Sequence, residues 1–137
     1  MKLDHPPGGR SDWLDLAGMA VLSGIIFTHV AGLTAEVEET TYIGAGFILI
    51  GMAALVAVVL IGQRDMRGWI LCGLTGLANG VGFVLSRTVG LPNHRDEIGN
   101  WAETMGQWSL CFNIAAVLLA IWAIARHSSA FTSKAHQ

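Results

Sequence analysis

Charge is what this sequence has least of. Aspartate, glutamate, lysine and arginine make up 13% of the 137 residues, against about 25% in an ordinary soluble domain. With ten acids, eight bases and a net charge of −2, bulk electrostatics gives no reason to expect a nucleic-acid partner. Cysteine is also scarce. Cys72 and Cys111 stand alone in apolar surroundings, so a C-x-x-C redox relay is excluded and both read as small apolar core residues. No nucleotide-binding glycine motif occurs, and no nucleophile, base and orienting group share a usable spacing. Nothing in the chain names a cofactor.

Apolar residues, by contrast, reach 53% and fall into long runs. A spanning helix needs about 20 such residues. Four runs qualify: 13–33, 42–62, 69–87 and 105–125. They are neither short nor alternating, as barrel strands would be. The first is long enough to span and lacks a small-residue cleavage site, so it reads as a retained helix. The connectors are short and no internal repeat is evident. The expected fold is therefore all-α: a single transmembrane domain over 1–137, built as an antiparallel up-down four-helix bundle. Polar tails are expected at 1–12 and 126–137.

Orientation follows from the basic residues flanking the spans. Lys2, Arg10, Arg64, Arg67, Arg126 and Lys134 lie on one side, Arg87 and Arg95 on the other. The positive-inside rule then puts both termini in the cytoplasm. Trp13, Trp69 and Trp122 fall near the cytoplasmic ends, and Trp101 and Trp108 near the outer end, as interfacial rings would. Small residues (Ala20 and Gly24; Gly44 and Gly51; Gly73, Gly76 and Gly80) mark faces where helix backbones can approach closely. Those faces are expected inside the bundle, although a homo-oligomer would use the same ones.

Polar groups inside a span are costly and signal a partner or a cavity. His29, Asn79, Arg87 and Asn113 are such groups, all in the outer half. Asn79 and Asn113 each lie about 12 Å below the outer boundary at 1.5 Å per residue. They read either as one interhelical amide bond or as the lining of an outer cavity with His29. A buried Arg87 needs a carboxylate: Glu103 is the first choice, Asp96 or Glu97 the alternatives, and snorkelling to the headgroups is the competing reading. A candidate ligand site is thus His29, Asn79, Arg87, Glu103 and Asn113. A candidate metal site is His29, Glu36, Glu39 and His94, whose imidazoles and carboxylates suit several divalent ions, although their spacing fits no established pattern.

The run Ser86-Arg87-Thr88-Val89-Gly90-Leu91-Pro92 has a physical reading of its own. Gly90 and Pro92 end the third helix, Ser86 and Thr88 satisfy its last carbonyls, and Arg87 anchors the chain at the outer surface. With Asn79 upstream, this run resembles an S-R-T-x-G-L-P pattern in a family of small bacterial four-span membrane proteins. The likeness extends to an acidic first outer connector after a histidine, and to Glu97–Glu103 followed by Ser109-Leu110. It covers about two thirds of the chain by matching of its spans. That family often has a glutamate where Asn113 stands, so a site dependent on that carboxylate would be altered. The resemblance implies a protein of the bacterial inner membrane with this topology, and no activity.

Several functions fit. The leading expectation is a structural or accessory subunit of a membrane assembly, with the bilayer and a membrane-protein partner or a second copy as its contacts. A small transporter or channel is the alternative, although the small four-helix drug exporters rely on a deep glutamate that no span here has. A metal- or ligand-binding membrane protein is the third.

Overall fold

The computed structural model describes the backbone of residues 12–39, 41–92 and 95–134, and the side chains of 12–33, 41–92 and 95–129. It contains four helices and no strand among the described residues: α1 Asp12–Glu39, α2 Thr41–Gly62, α3 Met66–Thr88 and α4 Thr104–Lys134. Each includes a stretch long and apolar enough to cross a membrane, namely Asp12–Leu33, Thr41–Gly62, Met66–Thr88 and Thr104–Ser129. The all-α, antiparallel four-helix arrangement expected from the sequence is the one observed.

The helices form a four-cornered bundle. α1 packs on α2 and α4, and α3 packs on the same two. α1 and α3 touch across one diagonal, while α2 and α4 make no contact across the other among the described residues. The end where α1 and α3 finish and α2 and α4 begin is the upper end of the bundle.

Helix ends follow backbone capping rather than hydropathy. α2 stops because Arg64 adopts φ 61°. Its N–H then bonds the Ile61 carbonyl at 2.8 Å, and the Asp65 N–H bonds Leu60 at 2.9 Å, the paired bonds of a left-handed helix stop. The Asp65 side chain accepts from the Arg67 N–H at 2.9 Å, capping α3, so that helix starts at Met66 rather than at Trp69. The other two differences from expectation are extensions. α1 runs through the acidic connector to Glu39, and α4 runs through the expected polar tail to Lys134. Neither extension contains glycine or proline, so nothing in them stops a helix.

The lower half is packed mainly with apolar side chains, with Asp15 and Thr75 also buried there. Leu14, Leu22, Ile25, Ala54, Ala57, Ile61, Trp69, Cys72, Ala116, Ala120 and Ala123 form one buried cluster. Trp69 is at its centre, fully buried, so it is a core residue and not the interfacial ring its position suggested. Gly18 permits this: a Cβ there would lie 2.5 Å from the Trp69 ring. Trp13 and Trp122 do occupy the surface, ring centroids 4.9 Å apart, joining the first and last helices. Cys72 and Cys111 are both free thiols; Cys72 lies in the core as expected, whereas Cys111 is exposed and is not the core residue the sequence suggested.

Close helix approach is built where the small residues predicted it on α3. A Cβ at Gly76 would lie 2.7 Å from the Asn113 carbonyl oxygen, and one at Gly73 would lie 3.0 Å from Ala120. Gly24 of α1 similarly admits Phe112, whose ring would come within 2.7 Å of a Cβ. Gly51 differs from expectation, because a Cβ there meets nothing within 4 Å. It faces away from its neighbours.

Candidate functional site

Four of the polar side chains singled out in the sequence converge at the upper end. His29, Asn79, Arg87 and Glu103 line one cavity of about 330 Å³. Thr28 and Gly32 of α1 join them, with Tyr42, Ile43, Gly46, Phe47 and Ile50 of α2 opposite. Helix α3 adds Gly82, Phe83 and Ser86, and α4 adds Met105, Gly106 and Ser109. Leu91 and Glu97 of the α3–α4 connector complete the lining at the top.

The lower wall is a polar ladder across three helices. His29 is buried, and its Nδ1 lies 2.8 Å from the Ile25 carbonyl oxygen, so Nδ1 carries the ring proton. Its Nε2 lies 3.2 Å from the Asn79 side-chain amide. That amide also meets the Asn113 amide at 3.0 Å and the Ser109 hydroxyl at 3.4 Å. With Asn79 Oδ1 toward the ring, both ring nitrogens donate and His29 is an imidazolium. With both amides turned over, the ring is neutral, Asn79 donates to Nε2, and Asn113 Nδ2, otherwise a buried donor without a partner, donates to Asn79 Oδ1. Amide orientation is assigned from hydrogen bonding. The second arrangement leaves neither an unpaired charge nor an orphaned N–H inside the span, and low polarity favours it. Asn113 stands behind Asn79, does not itself reach the cavity, and is 2% exposed.

The upper wall is ionic. Arg87 is the last basic residue of α3 and is only 6% exposed. The anchoring role expected for it is corrected: its side chain turns inward, because two carboxylates and a ring wait there. Nη2 pairs with Glu103 and Nη1 with Glu97. The guanidinium carbon sits 5.0 Å over the Phe83 ring, a cation–π distance. Arg87 Nε is buried with no partner. Gly106 makes room for this group, since a Cβ there would lie 2.5 Å from Phe83.

The connector above is shaped to cover the cavity. Gly90 and Gly99 take φ of +80° and +81°, a region only glycine enters freely. The Gly99 N–H bonds the Arg87 carbonyl at 2.9 Å. Tyr42 donates to the Pro92 carbonyl at 2.6 Å, tying the connector to α2. Ser86 and Thr88 bond the carbonyls of Phe83 and Val84, each at 2.7 Å, the end-of-helix role read from the sequence.

The metal reading divides in two. The side chains of Glu36 and Glu39, and His94 altogether, lie outside the described residues. His29 has both ring nitrogens turned to protein atoms, and among the described residues no three His, Cys, Asp or Glu side chains cluster as a metal site. Sequence reasoning missed Tyr42, Phe47, Phe83 and the two glycines that leave space, Gly46 and Gly82. A Cβ at either glycine meets no atom within 4 Å. Compared with known proteins, the chain matches no family model, no curated sequence and no solved structure.

Proposed function

We propose that this chain is a multi-pass protein of a bacterial inner membrane, both termini cytoplasmic, that holds a small amphipathic molecule in the outer half of its bundle. The observation that supports ligand binding is one cavity wall. A space of about 330 Å³, at the lower end of the range for small-molecule sites, is bordered by a buried guanidinium nitrogen with no partner. A buried donor left unmade costs about 1–3 kcal/mol. A ligand oxygen at Arg87 Nε would recover that. The remaining walls are aromatic and aliphatic, with His29, Asn79 and Ser109 at the far end, about 12 Å away along α3 at 1.5 Å per residue. Such a molecule would be polar at one end and apolar in the middle.

The test fills the space. Gly46 and Gly82 border the cavity with open room beside them, so Gly46→Leu and Gly82→Leu add bulk without displacing a neighbour. The purified protein in dodecyl maltoside is titrated with N-phenyl-1-naphthylamine, an amphipath that fluoresces when shielded from water. One saturable site is expected, lost in both variants while circular dichroism stays unchanged. Equal binding by the filled variants would refute the reading.

A second reading, the accessory subunit, draws on the exposed apolar face of α2, which includes Ile48, Leu49, Met52, Leu55, Val56 and Val59. That face suits lipid as well as a partner helix. A stoichiometric membrane protein co-purifying in mild detergent would favour the subunit.

A further inference from the structure

We infer that the occupant of the cavity is a small amphipathic organic cation, bound by the unspent carboxylate oxygens of Glu97 and Glu103 and by the aromatic rings below them. This rests on the ligand-binding reading above and adds the sign of the charge.

Counting charge at the site gives the direction. Arg87 is one guanidinium shared between two carboxylates. The connector above adds Arg95 and Asp96, both exposed, which offset each other. Two further titratable groups line the wall: His29 is neutral in the hydrogen-bond arrangement favoured above, and Tyr42 carries the hydroxyl proton it donates to the Pro92 carbonyl. The cavity mouth therefore carries one negative charge in excess among the described residues. An entering anion could reach only Arg87 Nε without displacing a glutamate, and it would raise that excess. A cation cancels it.

Hydrogen-bond capacity points the same way. Arg87 uses Oε2 of both glutamates, and Asn100 also donates to Oε2 of Glu97, at 3.2 Å. The contacts to these glutamates run to Oε2, and no hydrogen bond to Oε1 of either is seen among the described residues. Both side chains line the cavity and keep some exposure, Glu97 at 26% and Glu103 at 44%. They are placed to take a further positive partner without breaking the Arg87 pairs.

The walls suit the rest of such a molecule. Tyr42 and Phe47 line the cavity beside Phe83, whose ring already carries Arg87, and aromatic rings attract ammonium groups within about 6 Å. Ile43, Ile50, Leu91 and Met105 supply apolar contact. An oxygen on the ligand would meet Arg87 Nε. A carboxylate or phosphate could use only that Nε, because the two terminal guanidinium nitrogens are already paired with the glutamates.

The experiment uses three probes of one shape, each competing against N-phenyl-1-naphthylamine on the full chain in dodecyl maltoside. They are benzyltrimethylammonium, its uncharged analogue neopentylbenzene, and the anion phenylmethanesulfonate. Benzyltrimethylammonium is expected to bind about tenfold tighter than the hydrocarbon, an increment of about 1.4 kcal/mol, and the sulfonate not to compete. Glu103→Gln should reduce the cation preference several-fold. Arg87→Met removes the competing positive charge and should tighten benzyltrimethylammonium binding, and Gly82→Leu should abolish it. Equal affinity for hydrocarbon and cation would overturn the inference and leave the ligand-binding reading standing. Preference for the sulfonate, lost in Arg87→Met, would do the same and reverse the sign. If no probe competes and the naphthylamine site is indifferent to Gly82→Leu, the ligand-binding reading itself fails.

Discussion

Removing the carboxylates from the Arg87 site should destabilise the protein more than removing the arginine. The asymmetry comes from burial. Arg87 is 6% exposed, whereas Glu97 and Glu103 are 26% and 44% exposed. In Arg87→Met the side chain still packs on Phe83, and the two freed carboxylates can turn to water. The loss is then below the roughly 3–5 kcal/mol of breaking a fully buried pair, about 1–3 kcal/mol. In the double variant E97A/E103A the guanidinium remains inside with no counter-ion, and its Nε already lacks a partner. The full penalty of roughly 3–5 kcal/mol applies, unless the side chain leaves Phe83 and snorkels upward. The assay is unfolding from dodecyl maltoside by increasing dodecyl sulfate. Far-UV circular dichroism reports the helices. Fluorescence reports the upper end through Trp101, whose ring lies 6.1 Å from Phe83. Equal losses in the two variants, or a larger loss for Arg87→Met, would refute the reasoning and mean that Arg87 is held by helix packing alone.

Three further outcomes are expected. Asn79→Leu breaks the ladder between α1, α3 and α4 and leaves His29 Nε2 without its partner; a loss of about 1–3 kcal/mol is expected in the same unfolding assay. Gly76→Ala, which would push a Cβ to within 2.7 Å of the Asn113 carbonyl, should cost about 1–3 kcal/mol, whereas Gly51→Ala, with open space around it, should gain about 0.5–1 kcal/mol from helix propensity. For topology, alkaline phosphatase fused at the C-terminus should be inactive and the same enzyme inserted after Gly99 active; the opposite result would reverse the orientation argued from the basic flanks.

The number of helices and their antiparallel order were legible because each is a long apolar run bounded by charge. Their ends were less so, because hydropathy reports solvent and not backbone geometry. Arg64 in a left-handed conformation and Asp65 as a cap fix the α2–α3 turn, and only Asp65 carries a recognisable sequence signal. The site was legible where polarity was out of place: His29, Asn79 and Arg87 stand out against their runs, and Glu103 follows as the counter-charge. Glu97 was an alternative to Glu103 in sequence; the structure uses both, since one guanidinium can serve two carboxylates. The apolar walls were not legible. Phe47 and Phe83 look like any other residues of a span, and Gly82 gives no hint that it opens space whereas Gly76 closes it. Trp69 misled because an aromatic ring near a span end suits both a headgroup belt and a core, and only Gly18 on another helix decides between them.

The order in which the chain is synthesised gives the Arg87 site a history. Arg87 is made before either of its partners, Glu97 and Glu103, and Tyr42 is made long before Pro92, the residue that accepts its hydroxyl hydrogen. When α3 is made, neither Glu97 nor Glu103 yet exists, so its guanidinium lacks both of these counter-charges and stays among the headgroups. It can turn inward once the connector and the start of α4 have emerged. The cavity is therefore a late product of assembly, absent from a three-helix intermediate, and a nascent chain truncated before Glu97 would present an exposed arginine in its place.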